Sequence, residues 1–545
     1  MLKKVILALA SMTCLSFSYE SAKDMDLEEK IGQMLLVHFH GEAANEDAKT
    51  LVQKVKVGGF IYYNWATGLH SPEQVAELSQ GLQALTRENS LAIPLFIAAD
   101  QEGGIVSRLK QGFTTFPGNF ALGMSGDPTL AEKSAFAMGL ELRSVGVNYN
   151  LSPVADINSN PKNPVIGLRS FGSTADIVAA FVQRAVEGYH QAKIITSLKH
   201  FPGHGDVEVD SHKDLPVINK SKEELEKMEF IPFAKMAPKA DTVMTAHVML
   251  PKIDPVHCAT LSKNVLDILR NDLQFAGVII SDSLVMKGLL KNCSSVDDAA
   301  IQAINAGCDI ICLGGKQLNY NDADLELSAE DIQRIHRNIA SAVKKGIISE
   351  ERIDEAVTRI LQLKTKYLGA PSKNPPPISS LERKKHASLA KQIATHALKI
   401  QENTNSACSL LQNMKLAIFA PAAMKEKLLQ TSILQLGKEI RFAFFQHLSP
   451  SKKEIQAAKD LEEQSDMLLF FSYNAWKNAS QKTLIKSLIA RKKPLILIVV
   501  KDPLDAGLFP KADKIYTTFS PTTPAIQAVC DDLLSNLHNC SKADK

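Results

Sequence analysis

Nowhere in the 545 residues do eighteen apolar residues follow one another, which excludes a helix long enough to span a bilayer. Charge of one sign is also missing. Lys and Arg number 62 against 59 Asp and Glu, a net charge of +3, too close to neutrality for a nucleic-acid binder. No Cys-x-x-Cys pair occurs, so zinc-ribbon chemistry is excluded. With 45% hydrophobic and 22% charged residues, the composition also fits neither disorder, nor collagen, nor a coiled coil. What is present is an ordinary globular balance in a chain several times the usual domain length. Two or more domains are expected, and an enzyme is the natural reading.

The N-terminus carries Lys3 and Lys4, then an apolar run from Val5 through Leu15. Ser16 and Ser18 follow at the small-residue spacing of a processing site before Tyr19. Residues 1–18 therefore read as a secretory signal, with a buried helix as the alternative, and imply export to a periplasm or the cell exterior. Met12 and Thr13 are poor neighbours for lipid attachment at Cys14. Seven cysteines lie beyond this segment, so at least one thiol of the mature chain is unpaired. Cys308 and Cys312 share one expected strand, roughly 13 Å apart at ~3.3 Å per residue. A disulfide needs Cα atoms within roughly 7 Å, so this pair reads as core.

The first two-thirds alternates short apolar runs with helical segments, the pattern of a parallel sheet covered by helices. Strands are predicted at Met34–His38, Gly59–Tyr63, Leu95–Ala99, Asn148–Val154, Ile194–Lys199, Thr242–His247, Val278–Ser281 and Asp309–Leu313. Helices are predicted at Ser71–Glu88, Thr129–Ser144, Thr174–Gln191, Lys222–Lys235 and Ser328–Lys345. Eight such strands fit a (β/α)8 TIM barrel over 26–368 better than a doubly wound sheet. A Pro-rich linker follows over 369–380. A predicted helix, Leu381–Gln401, opens a second unit over 381–540. Its apolar runs, Leu416–Ala420, Phe442–Phe445, Met467–Phe471, Leu495–Val500 and Ile515–Phe519, suggest a smaller α/β sandwich. It has no dense group of His, Asp and Glu, so the chemistry belongs to the barrel.

Reactive groups of such barrels sit at the C-terminal ends of strands. Strand three ends in Asp100-Gln101-Glu102-Gly103-Gly104, with Arg108 just beyond. Strand four leads through Asp156 to Arg169. Strand five ends in Lys199-His200-Phe201-Pro202-Gly203-His204 and runs on to Asp210-Ser211-His212. His247 ends strand six, and Asp282 lies at the tip of strand seven. Two arginines, a lysine and several acids in one mouth suit a polyhydroxylated ligand. Asp282 has the placement of a nucleophile. Asp210, two residues from His212, can fix the imidazole tautomer and raise its basicity for proton transfer. A loop hydrogen bond and a solvated acid are the plain alternatives for these two features.

The segment Lys199–Gly205 with Asp210-Ser211-His212 resembles glycoside hydrolase family 3, in its β-N-acetylglucosaminidase branch. Ile31-Gly32-Gln33-Met34, the Asp100–Gly104 motif and Asn163-Pro164-Val165-Ile166-Gly167 match in order. The second domain is similar to the family's C-terminal α/β sandwich, less specifically. The resemblance implies a retaining mechanism with a covalent glycosyl-enzyme. Asp282 would be the nucleophile and His212, oriented by Asp210, the acid/base. Asp100, Arg108, Arg169, Lys199 and His200 would grip the sugar hydroxyls. The implied substrates are peptidoglycan fragments, muropeptides carrying terminal β-linked N-acetylglucosamine; no cofactor or metal is implied. Ser283 stands where many members have a second Asp, and Ile105 where Arg is frequent.

Three other readings stay open. A histidine acid/base bears no negative charge, so phosphate could replace water as acceptor. A sugar-binding protein would have lost the nucleophile or the acid/base, yet Asp282, Asp210 and His212 are all present. A metal-dependent amidohydrolase could use His38, His40, Lys199, His200 and His247. It lacks an acid at the end of strand eight, where Asp309 sits at the start instead.

Overall fold

A computed structural model describes residues 25–89, 91–211, 214–291, 293–317, 326–369, 377–403, 414–491 and 493–543. The expected signal segment 1–18 and Cys14 lie outside these residues, as do His212 and most of the expected linker. Among the described residues no helix is long and apolar enough to cross a membrane.

Eight parallel strands form the first unit: β1 Leu35–Val37, β2 Gly59–Ile61, β3 Phe96–Ala99, β4 Tyr149–Asn150, β5 Ile195–Phe201, β6 Thr242–Thr245, β7 Val278–Ile280 and β8 Ile311–Cys312. They neighbour one another in chain order, and β8 returns to β1 through Leu35↔Ile311 and Leu36↔Cys312. A parallel bridge between Ile280 and Ile310 joins β7 to β8 and completes the circuit. The expected TIM barrel is therefore the fold. Its strands are buried on both faces, which explains the continuous apolar runs of β1, β3 and β7.

The outer helices follow local signals. Pro128–Ser144 starts on Pro behind an Asp127 cap, and Ala329–Lys344 on a Ser328/Asp331 capping box. The helix expected over Lys222–Lys235 is two, Lys222–Glu226 and Ile231–Met236, because Pro232 opens a new first turn.

The second unit has six strands: β9 Lys399–Glu402, β10 Lys415–Pro421, β11 Glu439–Phe445, β12 Met467–Ser472, β13 Leu495–Val499 and β14 Lys514–Thr517. Their order is β9-β14-β13-β12-β10-β11, all parallel except β9 against β14. Period-two alternation builds both of its cores. Leu416, Ile418 and Ala420 enter one apolar layer, while Ala417 and Phe419 enter the other. Strand β9 falls inside the helix expected over Leu381–Gln401. The observed helix, Ser380–Ala397, stops earlier because Lys399–Glu402 finds a partner strand distant in sequence.

The two units meet beside the segment that carries Arg169. Phe120 stacks on Phe519 with ring centroids 5.7 Å apart, and Phe519 shares an apolar cluster with Ala121, Leu168 and Ala397. Leu168 is the chain neighbour of Arg169, so the second domain props the segment that carries a candidate site residue. His386 Nδ1 lies 2.6 Å from Glu141 Oε1 across the same junction.

Candidate active site

Asp100 and Glu102 are two residues apart in extended backbone, so both side chains leave on one face. Gln101 points the other way, where its Oε1 accepts from the backbone N–H groups of Arg108 and Leu109. Gly103 and Gly104, with φ of +83° and +60°, turn the chain back and bring Arg108 over the acids. Lys199 Nζ, near the end of β5, donates to Asp100 Oδ1 at 2.8 Å and reaches Glu102 Oε1 at 2.7 Å. Arg169 grips Glu102 through Nε at 2.9 Å and Nη2 at 2.8 Å. Arg108 Nη2 donates to Asp100 Oδ2 at 3.2 Å.

The exposure of these groups divides the lattice into floor and rim. The side chains of Lys199 and Glu102 are each 1% exposed, whereas Arg108 is 33% exposed. Burial opposes ionisation of both acids, but the cations outweigh it. Lys199 and Arg108 hold Asp100 well below the usual carboxylate range. Arg169 and Lys199 hold Glu102 down to about 2. Burial likewise works against charge on Lys199, yet Asp100 and Glu102 raise its pKa. The floor stays fully charged at neutral pH.

A second network lies beside it. His200 Nδ1 donates to Asp156 Oδ2 at 2.7 Å, which leaves Nε2 as the acceptor facing Arg169 Nη2 at 3.4 Å. Asp156 Oδ1 accepts the backbone N–H groups of His200 and His204. The His204 ring is buried, and that burial pushes its pKa down to about 4, so the ring is neutral. Its Nε2 lies 3.1 Å from Ser211 Oγ. Ser211 joins Asp210 to His212. The structure therefore anchors the loop on both flanks of the expected acid/base, while His212 itself lies outside the described residues. Asp210 is half-buried there, and its carbonyl accepts from Asp214 N at 3.0 Å.

Asp282 is half-buried just past β7. Its Oδ1 accepts from the Ser283 N–H at 2.7 Å. The residues on either side are strapped down. Ser281 Oγ accepts from Cys312 N, Ser283 Oγ donates to Gly314 O at 2.6 Å, and His247 Nε2 donates to Ser283 O at 2.9 Å. Ser283 thus serves as a brace. Tyr63 is buried beside Arg108, which lies over its ring; burial raises its hydroxyl pKa well above the usual value, and the charges of Asp100 and Asp282 add to that rise.

Asp100, Arg108, Arg169, Lys199 and His200 are joined in one contact network, and Asp282 lies at the end of a neighbouring part of the same barrel sheet. Sequence reading left Glu102, Asp156 and His204 without roles. The i, i+2 spacing of Asp100 and Glu102 was the available signal for Glu102. Cys308 and Cys312 are buried free thiols, as expected, and Cys258, Cys293 and Cys530 are also free.

The glycosyl hydrolase family 3 N-terminal domain matches residues 26–363. A β-hexosaminidase A of Pseudoalteromonas piscicida is 32% identical over 367 residues, 64% of this chain and 60% of that enzyme's length. A β-hexosaminidase of Pseudomonas aeruginosa is 33% identical over 308 residues, 55% of this chain and 86% of that enzyme. In three dimensions the chain is similar to a family 3 β-N-acetylglucosaminidase from Paenibacillus sp. str. FPU-7. The TM-score is 0.84 at 32% identity, covering 94% of this chain and 97% of that one. With more than half its length matched in sequence and both its domains matched in structure, the chain belongs to glycosyl hydrolase family 3, on its β-hexosaminidase branch.

Proposed function

We propose that the protein is a retaining β-N-acetylglucosaminidase that removes terminal, non-reducing N-acetylglucosamine from peptidoglycan fragments. The observation that carries this reading is the charged floor of Asp100, Glu102, Lys199 and Arg169, with Asp282 braced beside it at the strand tip. The floor offers N–H donors to sugar oxygens from Lys199 and Arg108, and acceptors to sugar hydroxyls from Asp100.

In the first step a carboxylate oxygen of Asp282 attacks the anomeric carbon while the bond to the leaving oxygen breaks. His212, in its imidazolium form and oriented by Asp210, gives that oxygen its proton. In the second step water attacks the same carbon and returns the Asp282 carboxylate, and neutral His212 takes the water's proton. Inversion twice at one carbon gives net retention. No cofactor takes part. Braces on Ser281 and Ser283 fix the backbone on either side of Asp282 and so keep its carboxylate aimed, which favours a covalent step.

Release of nitrophenol from aryl β-N-acetylglucosaminide, with aryl β-glucoside alongside, tests the sugar specificity. Fast turnover of the acetamido sugar alone is expected. Comparable turnover of both would overturn it. Muropeptides with terminal N-acetylglucosamine, incubated with and without phosphate, then test the aglycone and the acceptor. Free N-acetylglucosamine in both buffers is expected, and a sugar 1-phosphate would assign phosphorolysis instead.

A further inference from the structure

Outside the charged floor, a second cluster stands at the mouth next to Tyr63, whose ring packs edge-on against His38 and carries Arg108 over it. His38 and His40 follow β1, with one residue between them, and both reach the same carboxylate oxygen. His38 Nε2 lies 2.8 Å from Glu326 Oε1, and His40 Nε2 makes a short contact with that atom. One ligand atom from each of the three residues can be chosen with all of them within 4.8 Å of one another. We propose that His38, His40 and Glu326 form a binding site for a divalent transition-metal ion of the zinc class.

The donor set argues for that class. Two imidazole nitrogens and one carboxylate oxygen suit zinc and its neighbours, whereas calcium and magnesium prefer all-oxygen shells. Tetrahedral zinc with bonds of about 2.0–2.1 Å places its ligand atoms roughly 3.4 Å apart. Both imidazole nitrogens now lie closer than that to Glu326 Oε1, His38 Nε2 at 2.8 Å, so the exposed His40 would swing outward to admit the ion, and water would complete the fourth position.

The scaffold holds each ligand in place independently. His38 is buried at the end of β1, with its Nε2 turned toward Glu326. Its Nδ1 has no hydrogen-bond partner among the described residues. The ring is positioned instead by edge-on packing against Trp65 and Tyr63, at 5.1 and 6.1 Å between centroids. Glu326 is fixed through its backbone, which bridges antiparallel to Lys316. His40 is exposed, which leaves a path for an ion to enter.

Two ring nitrogens converge on one atom, and an ion between the three groups would satisfy all of them. The site differs from the catalytic acids and does not depend on the glycosidase reading. An ion there would tie the chain beyond β8 to the end of β1, one ring away from the sugar-binding floor.

The test is zinc titration of the full-length protein, first stripped with a chelator, by calorimetry. Cobalt(II) absorption provides a second readout, since a tetrahedral site gives intense visible bands. One equivalent of zinc with tetrahedral cobalt bands is expected. His40→Ala and Glu326→Gln should each weaken zinc binding on the order of 100-fold, because even outer partners of metal ligands are worth 10- to 100-fold. His40 is exposed, so His40→Ala keeps the fold, and its thermal midpoint without zinc should equal wild type. Absence of stoichiometric binding would overturn the proposal. Binding undiminished in both variants would also overturn it, by placing the ion elsewhere.

Discussion

Nε2 of His204 lies 3.1 Å from Oγ of Ser211, and this contact ties the buried floor of the site to the loop that carries His212. Asp156 holds the His204 backbone N–H at 2.6 Å, so one buried acid positions both histidines of the strand-five motif. The motif Lys-His-Phe-Pro-Gly-His-Gly is therefore a support that runs from the charged floor to the loop that carries His212.

His204 gives the fold a pH dependence of defined sign. Burial depresses its pKa to about 4, against about 6.5 in the unfolded chain. Between those values the unfolded chain binds the proton and the folded chain does not. Stability is therefore complete above pH 6.5 and falls as pH drops toward 4, by about 3 kcal/mol in all. His204→Gln keeps a donor near Ser211 but removes the titration. Thermal midpoints at pH 7, 5.5 and 4.5 should show wild type losing more than the variant. Parallel losses would clear His204 of this role.

Gly288 lies in the short helix Lys287–Leu290, against the other side of the same loop. A Cβ there would stand 2.5 Å from Ser211 O and 2.6 Å from Asp214 O, closer than atoms tolerate. These are backbone atoms, so the loop itself must move. Gly288→Ala should leave the barrel folded yet displace His212. A misplacement of about 1 Å costs on the order of 100-fold in turnover. The check is kcat on an N-acetylglucosaminide of poor leaving group, beside the thermal midpoint; an unchanged kcat would sink the prediction.

Glu102 is the acid on which the floor depends. It is 1% exposed and meets Arg169 through two bonds and Lys199 through a third contact. Glu102→Gln preserves shape but leaves two buried cations facing one less charge. Breaking a buried ion pair from one side costs about 3–5 kcal/mol. A lower thermal midpoint and a raised KM are expected together, since Lys199 would lose its fixed direction. A variant as stable as wild type with unchanged KM would assign Glu102 no such part.

The barrel was legible because each strand is a short, continuous apolar run, a pattern that buried parallel strands impose. The charged cluster at the barrel mouth was legible because strand ends concentrate charge at Asp100, Lys199 and Asp282. Pairings between distant residues were not. Nothing local to Arg169 announces that its guanidinium will close on Glu102 rather than point only at a ligand. The metal-like cluster was half-visible: His38 and His40 stand out after strand one, but the acid was sought at the end of strand eight. Glu326 arrives from farther along the chain, where no spacing rule reaches. Lys399–Glu402 was lost for a similar reason, since a strand made by an antiparallel partner at Lys514–Thr517 carries little signal of its own.

Asp282 and His212 are separable by kinetics. Asp282→Asn cannot form the glycosyl ester, because an amide is a poor nucleophile, so turnover of every substrate should vanish while the fold persists. His212→Ala keeps the nucleophile and loses only the proton donor. Its cost must therefore scale with the leaving group's need for that proton. Nitrophenol departs as a stabilised anion, and its glycosylation step should slow little. A sugar alkoxide is a far worse anion, and muropeptide cleavage should slow by a further factor on the order of 100 or more, within the range of general acid catalysis. Pre-steady-state bursts on the aryl substrate isolate glycosylation from the second step, which also uses His212. Equal slowing of glycosylation for both leaving groups would remove His212 from the acid role and send the search for the proton donor back to the groups around Asp210.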